Sequence, residues 1–313
     1  MSSDLTIGQN FNLDTDYGFL LQAIQETFDN ALGKANQSLV GNLIAQTISS
    51  PIGVSLLSHY YDFDGLKEFT GTTRYSEFLN RLKMINAKEW SNAFKHSFLD
   101  VRRDPMCMTR SSMVLAGQLA RHKESIIFSH GVRGGFSGVH IDDQPFFSAS
   151  HYTHNASGTQ VTYSNYDSGT DPLWLLVDCS DTTTLPFAYQ LTEAPNVISV
   201  TDPNDSVVRS HQYFEVIGRC SDNATQVFHQ KVIASREALT FDNLSDAFER
   251  MASQCDSNGD SQGIQATHLI VGPKLTKSVR AMVKDTAVLG SPIINLGDMN
   301  NFVTVMQTPY LNF

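Results

Sequence analysis

The chain has 313 residues, enough to bury a large core and past the size at which single cores stop growing, so two units or one discontinuous domain are expected. Charged residues make up 17% and hydrophobic residues 41%, which leaves a surface carried by Ser, Thr, Asn and Gln and suited to meeting other protein subunits. The 22 basic residues against 32 acidic give a net charge of −10, which argues against sequence-specific grip on nucleic acid, and no 18-residue apolar run offers a membrane span.

In chain order, Leu20, Ile24, Phe28 and Leu32 recur every four residues, and Leu39, Leu43 and Ile44 continue on similar spacing after Gly33. This spacing predicts one or two amphipathic helices within residues 14–46, ended before Pro51, forming an arm ahead of the main domain. No signal peptide is expected in the polar first ten residues. Residues 66–103 read as an extended ribbon. Gly71 and the Thr72-Thr73 pair break any helical period, and Phe69, Tyr75, Phe78, Trp90, Phe94 and Phe98 are scattered along it. The ribbon carries a net charge of +4 while the rest of the chain carries −14. A basic ribbon on an acidic body attracts a neighbouring copy, although a solvated hairpin would show the same charge.

Asp104-Pro105 is a strong helix start, because Asp caps free N–H groups and Pro at the first position loses no bond. The helix is expected to run to about His130 and stop at Gly131, a rod of roughly 38 Å. Residues 131–171, rich in Gly, Ser, His, Tyr and Asn, read as loop anchored by Phe146-Phe147. Strands are expected at 173–177, 187–191, 212–219 and 226–234, the last two forming an antiparallel hairpin about a Ser221-Asp222-Asn223 turn. Thr240 is placed to cap a helix at 241–254. A strand at 267–271, a helix from Pro273 to about 287 and a strand at 302–306 complete an α+β pattern.

Catalytic and metal motifs are weak. Asp256-Ser257-Asn258-Gly259-Asp260 imitates half a calcium loop, but Ser261 stands where Gly is needed and Thr267 where a bidentate Glu is needed, so a polar turn is expected. His151 and His154 sit three apart without a third ligand in register. The glycines of 131–138 match neither a dinucleotide nor a Walker pattern. Cys179, before Ser180-Asp181, could look like an exposed nucleophile, but buried thiols at strand ends are much commoner and a structural thiol is expected. Cys107, Cys179, Cys220 and Cys255 are separated by 72, 41 and 35 residues, without zinc or disulfide spacing, and are expected to be reduced and buried. No cofactor, no metal and no catalytic activity are expected.

One resemblance is carried by motifs in order. Leu66-Lys67-Glu68-Phe69 is followed by Leu175-Leu176-Val177-Asp178-Cys179-Ser180, Pro186-Phe187 and Gln190. Leu239-Thr240-Phe241-Asp242-Asn243-Leu244, Thr267-His268-Leu269-Ile270-Val271 and Pro273 complete the series. Over roughly residues 50–313 the chain resembles the major head subunit of Mu-like phages. The resemblance implies the tailed-phage and herpesvirus major capsid fold, with an N-terminal helical arm (1–50), an extended loop with the strand leading into it (51–103), a discontinuous peripheral domain with a spine helix (104–239) and an axial domain (240–313). It places the strands at 212–234 in the peripheral sheet.

The expected function is self-assembly as pentamers and hexamers into an icosahedral shell around double-stranded DNA. Portal, scaffold or decoration proteins would be partners, and assembly would take place in the bacterial cytoplasm without a membrane. Lys67, Arg74, Tyr75, Arg81, Lys83, Trp90 and Phe94 are the candidate subunit contacts. Two other readings stand beside it: an encapsulin-like compartment shell, and a soluble hydrolase using Cys179 or a histidine of 130–154.

Overall fold

In the computed structural model the described residues are 17–35, 40–58, 82–140, 142–200, 202, 206–282, 285–286, 292–295 and 302–313. Helices α1 (Tyr17–Ala35) and α2 (Val40–Ile44) lead into strands β1 (Ala45–Ser49), β2 (Val54–Ser58), β3 (Leu82–Asn86) and β4 (Lys88–Ser97), then α3 (Phe98–Arg103) and α4 (Met106–Ile126). Strands β5 (His151–His154), β6 (Gln160–Tyr163), β7 (Tyr166–Asp167), β8 (Trp174–Val177) and β9 (Phe187–Val200) follow, then α5 (Ser206–His211) and β10 (Tyr213–Gln226). The chain closes through β11 (Val232–Ser235), α6 (Phe241–Ala252), β12 (His268–Val271), α7 (Thr276–Met282), β13 (Asp285–Thr286), β14 (Pro292–Asn295) and β15 (Phe302–Gln307).

These elements form two compact units, neither contiguous in sequence. The first takes residues before 39 with Ala87–Lys123 and Leu191–Asp222; the second takes Leu39–Asn86, Glu124–Gln190 and Asn223–Phe313.

In the first unit, Leu20, Ile24 and Phe28 of α1 are buried as their four-residue spacing requires, and they share a core with Met108, Leu115 and Ala116 of α4 and Phe214 and Val216 of β10. Strands β9, β10 and β4 are neighbours in one sheet, with β4 at its edge. Alternate residues of β10, from Phe214 through Val216, Gly218 and Cys220 to Asp222, are buried. Gly218 is there for space: a Cβ added to it would stand 3.1 Å from both Leu115 Cβ and Leu119 Cδ1, so α4 rides close on the strand.

Three expectations change here. The ribbon ends at Ser97, whose hydroxyl accepts from Asp100 N–H at 3.1 Å and starts α3, so 98–103 is helix rather than extended chain. The helix starting after Asp104, whose Oδ1 accepts from Met106 N–H at 3.1 Å, does not stop at Gly131: a π-helical turn, Ile127–Val132, and a 3-10 turn, Arg133–Phe136, carry it on. No hairpin turn forms at 221–223. There β10 runs straight through, because Ser221 and Asp222 continue the antiparallel register opposite Glu89 and Lys88 and Asn223 Nδ2 donates to Asn86 O at 2.7 Å. Polar residues that find partners lose their preference for a turn.

The second unit is built on a seven-stranded sheet of order β13-β14-β15-β12-β8-β11-β7. Here β8 is an unbroken apolar run because both its faces are covered, with Trp174 through Val177 all buried. Thr240 Oγ1 accepts from Asn243 N–H at 3.2 Å and caps α6, which presses Leu244, Ala247, Phe248 and Met251 onto the sheet core with Leu269, Val271 and Val303. Strand β11 lies in this sheet, antiparallel to β8, and not in a hairpin with β10 as the strand pattern predicts, so the strands at 212–234 do not share one sheet as the resemblance implied. The helix expected at 273–287 is shorter, a 3-10 turn followed by α7 to Met282. Residues 131–171 hold more order than expected: β5 and β6 pair as a hairpin whose Gly158 sits at φ +71°.

Candidate subunit interface

Lys67, Arg74, Tyr75 and Arg81 lie outside the described residues. Lys83, Trp90 and Phe94 lie within them, and each is engaged with its own chain. Strands β2 and β3 pair antiparallel with Leu56 opposite Met84 and Ser55 opposite Ile85. Ile85 is 3% exposed, whereas Val54, Leu56 and Met84 on the other face are 40%, 62% and 60% exposed. Because strand side chains alternate, Lys83 turns inward with Ile85, and Met84 turns out. The result is an apolar outer face on a two-stranded ribbon, an arrangement that is marginal in water unless something covers it.

Inward, Lys83 Nζ donates to Gln226 Oε1 at 2.8 Å and lies 3.4 Å from His140 Nδ1. Burial pulls its amine down to about 8. The side chain is a tether, not a surface charge.

Trp90 stands opposite Cys220 in the β4–β10 register, its Nε1 donating to Asp222 O at 3.4 Å and its ring edge-on to His122, 5.0 Å between centroids. Phe94, opposite Val216, packs partly buried against the core shared by α1, α4 and β10. Next to it the edge strand is wet and charged: Lys95 Nζ sits 4.4 Å over the Tyr213 ring and 3.9 Å from Glu215.

The positions considered for chemistry settle into structural contacts. Burial pushes the Cys179 thiol up to about 12, the opposite of an activated nucleophile, and its backbone N–H donates to Thr267 Oγ1 at 2.9 Å. His151 is fully buried, with Nδ1 against the Asp142 carboxylate and Nε2 3.0 Å from Phe146 O, while His154 pairs through its backbone with Cys255. Asp256 Oδ1 accepts from Asn258 N–H and Asp260 N–H at 2.8 and 3.0 Å, closing the expected polar turn on itself.

The family model described as Mu-like prophage major head subunit gpT matches residues 18–311. The chain belongs to that family. It is 25% identical over 266 residues to the Mu-like prophage FluMu major head subunit of Haemophilus influenzae, covering 83% of this chain and 85% of that protein. It is 23% identical over 248 residues to the major capsid protein of Escherichia phage Mu, covering 77% and 81%. Its fold matches the subunit of the procapsid of bacteriophage JBD30 with a TM-score of 0.75, at 21% identity over 94% of this chain and 98% of that one. As a Mu-like major head subunit the chain is a structural phage capsid protein and not an enzyme. Neither the compartment-shell nor the hydrolase reading gains support.

Sequence reasoning missed the apolar face of the β2–β3 ribbon and the tether beneath it. The residues 82–86 alternate too weakly to show which face is inside, since Leu82, Met84 and Ile85 are all apolar.

Proposed function

We propose that copies of this head subunit assemble as pentamers and hexamers into an icosahedral shell around double-stranded DNA held without sequence specificity. Portal, scaffold and decoration proteins are its other partners, and assembly takes place in the bacterial cytoplasm. The observation that carries the reading is the family match along nearly the whole chain, 18–311. The acidic balance supports it, since a shell of net-negative subunits contains DNA without gripping it. In this reading residues 1–50 are the arm, 51–103 the extended loop and its incoming strand, 104–239 the peripheral domain and 240–313 the axial domain.

The contacts between copies fall to Lys67, Arg74, Tyr75 and Arg81 together with the outer face of the β2–β3 ribbon, Val54, Leu56 and Met84. Their occupant is a second copy, because the +4 ribbon faces a chain whose remainder carries −14 and because the apolar face needs cover. Lys83, Trp90 and Phe94 hold the root of the ribbon and the β4 edge in shape for that contact. The test is charge reversal at Arg74 and Arg81 to Glu. The isolated subunit is expected to keep its circular dichroism, while particle yield falls about tenfold or more, the factor that ~1.4 kcal/mol per contact gives. Wild-type yield would refute the assignment of these residues.

A further inference from the structure

Among the described residues, two groups of three side chains bring metal-ligating atoms within 4.8 Å of one another: Asp142, His151 and His229, and His122, Cys220 and Asp222. The first is built against an ion. The His151 and His229 rings stack with centroids 3.9 Å apart and planes 18° apart, so an ion in the plane of one ring lies out of the plane of the other. Both nitrogens of His151 are already committed to Asp142 and Phe146.

In the second group no two ligand rings stack, and His122 Nε2 and Cys220 Sγ both turn to Asp222, itself a member of the cluster. His122 sits near the end of α4, and Cys220 and Asp222 are two apart on β10, so strand alternation puts both on the face that packs the helix. His122 Nε2 is 3.2 Å from Asp222 Oδ1, and Cys220 Sγ is 3.8 Å from Asp222 Oδ2. Ligand atoms on a tetrahedral zinc with Zn–N and Zn–O near 2.0–2.1 Å and Zn–S near 2.3 Å stand about 3.3–3.6 Å apart; here the two contacts run to the two oxygens of one carboxylate and all the ligand atoms lie within 4.8 Å of one another, so small side-chain rotations bring them onto one ion. The donor set, one imidazole, one thiol and one carboxylate, is that of a borderline-soft first-row ion, and not of calcium or magnesium. Cys220 and Asp222 are 2% and 1% exposed, which excludes competing water on that side, while the half-buried His122 leaves one approach.

We propose that His122, Cys220 and Asp222 bind a divalent transition-metal ion, Zn²⁺ in the first instance, with water in the fourth position, and that the ion clips α4 to β10 beneath Trp90. Binding exchanges the Cys220 S–H bond for a Zn–S bond and releases one proton to solvent.

The experiment uses the full chain, stripped with chelator and titrated with Zn²⁺ and with Co²⁺. Roughly one zinc per chain is expected to survive gel filtration. Co²⁺ is expected to give a thiolate-to-cobalt charge-transfer band and to quench the emission of Trp90, one of the two tryptophans. Both signals should vanish in Cys220→Ser and in His122→Gln, and Trp90→Phe should lose the quenching while keeping the band. His122→Gln alters a partly buried helix residue and serves where the buried Cys220→Ser chain does not fold. A stripped wild-type chain that retains no zinc and shows no band overturns the proposal, as does a folded His122→Gln chain that keeps both.

Discussion

Lys83 and Gln226, 143 residues apart in the chain, are joined by a 2.8 Å hydrogen bond from the lysine Nζ to the glutamine Oε1. The same glutamine's Nε2 donates to the carbonyls of His130 and Gly131 at 2.8 and 2.7 Å, inside the π-helical turn that continues α4. One side chain thus meets two carbonyls of the widened turn and also holds the ribbon strand β3.

This tether makes stability depend on pH in a defined direction. The Lys83 amine is lowered to about 8 from an ordinary 10.5 by burial. Below pH 8 both folded and unfolded chains carry the proton. Between 8 and 10.5 the unfolded chain binds a proton that the folded chain does not, so raising the pH favours folding, by up to ~1.4 kcal/mol per pH unit, and the gain levels off above 10.5. Comparing wild type with Lys83→Met in urea at pH 7.5 and 9.5 isolates this group. The stability difference should move in favour of wild type as pH rises; a difference that does not change with pH would contradict the buried-tether assignment.

The apolar outer face of the ribbon separates folding from assembly. Leu56→Asp with Met84→Asp changes residues 62% and 60% exposed, so the free subunit should lose less than about 0.5 kcal/mol in urea unfolding. Against a neighbouring copy the same carboxylates would be buried without partners, at about 1–3 kcal/mol each, and sedimentation should show subunits that stay unassembled.

Close approach of α4 to β10 rests on Gly218. Replacing it with Val forces Leu115 and Leu119 aside from 3.1 Å contacts and should cost about 1–3 kcal/mol in urea unfolding, with Gly218→Ala costing less. An unchanged midpoint would mean that the helix can shift freely on the strand.

What was legible in the sequence was what local chemistry decides. The Leu20, Ile24 and Phe28 spacing, the Asp104 and Thr240 caps, and the apolar run of β8 each carry their signal within a few residues. What was not legible depends on partners far along the chain. Ser221-Asp222-Asn223 reads as a turn until Asn86 and the β4 register claim it. Lys83 reads as surface charge until Gln226, 143 residues away, takes it inside. The His122, Cys220 and Asp222 cluster has no spacing signal because two of its members come from β10 and the third from α4. The ordered motifs from Leu66 to Pro273 gave the family because they record the whole fold rather than one element.

The most direct test of a shell-forming head subunit is electron microscopy of the purified full chain, alone and co-expressed with the neighbouring head genes. Closed particles, or rings with five- and sixfold symmetry, are the predicted result, and they should disappear with Arg74→Glu and Arg81→Glu. A folded chain that stays monomeric at every concentration under both conditions would contradict the account.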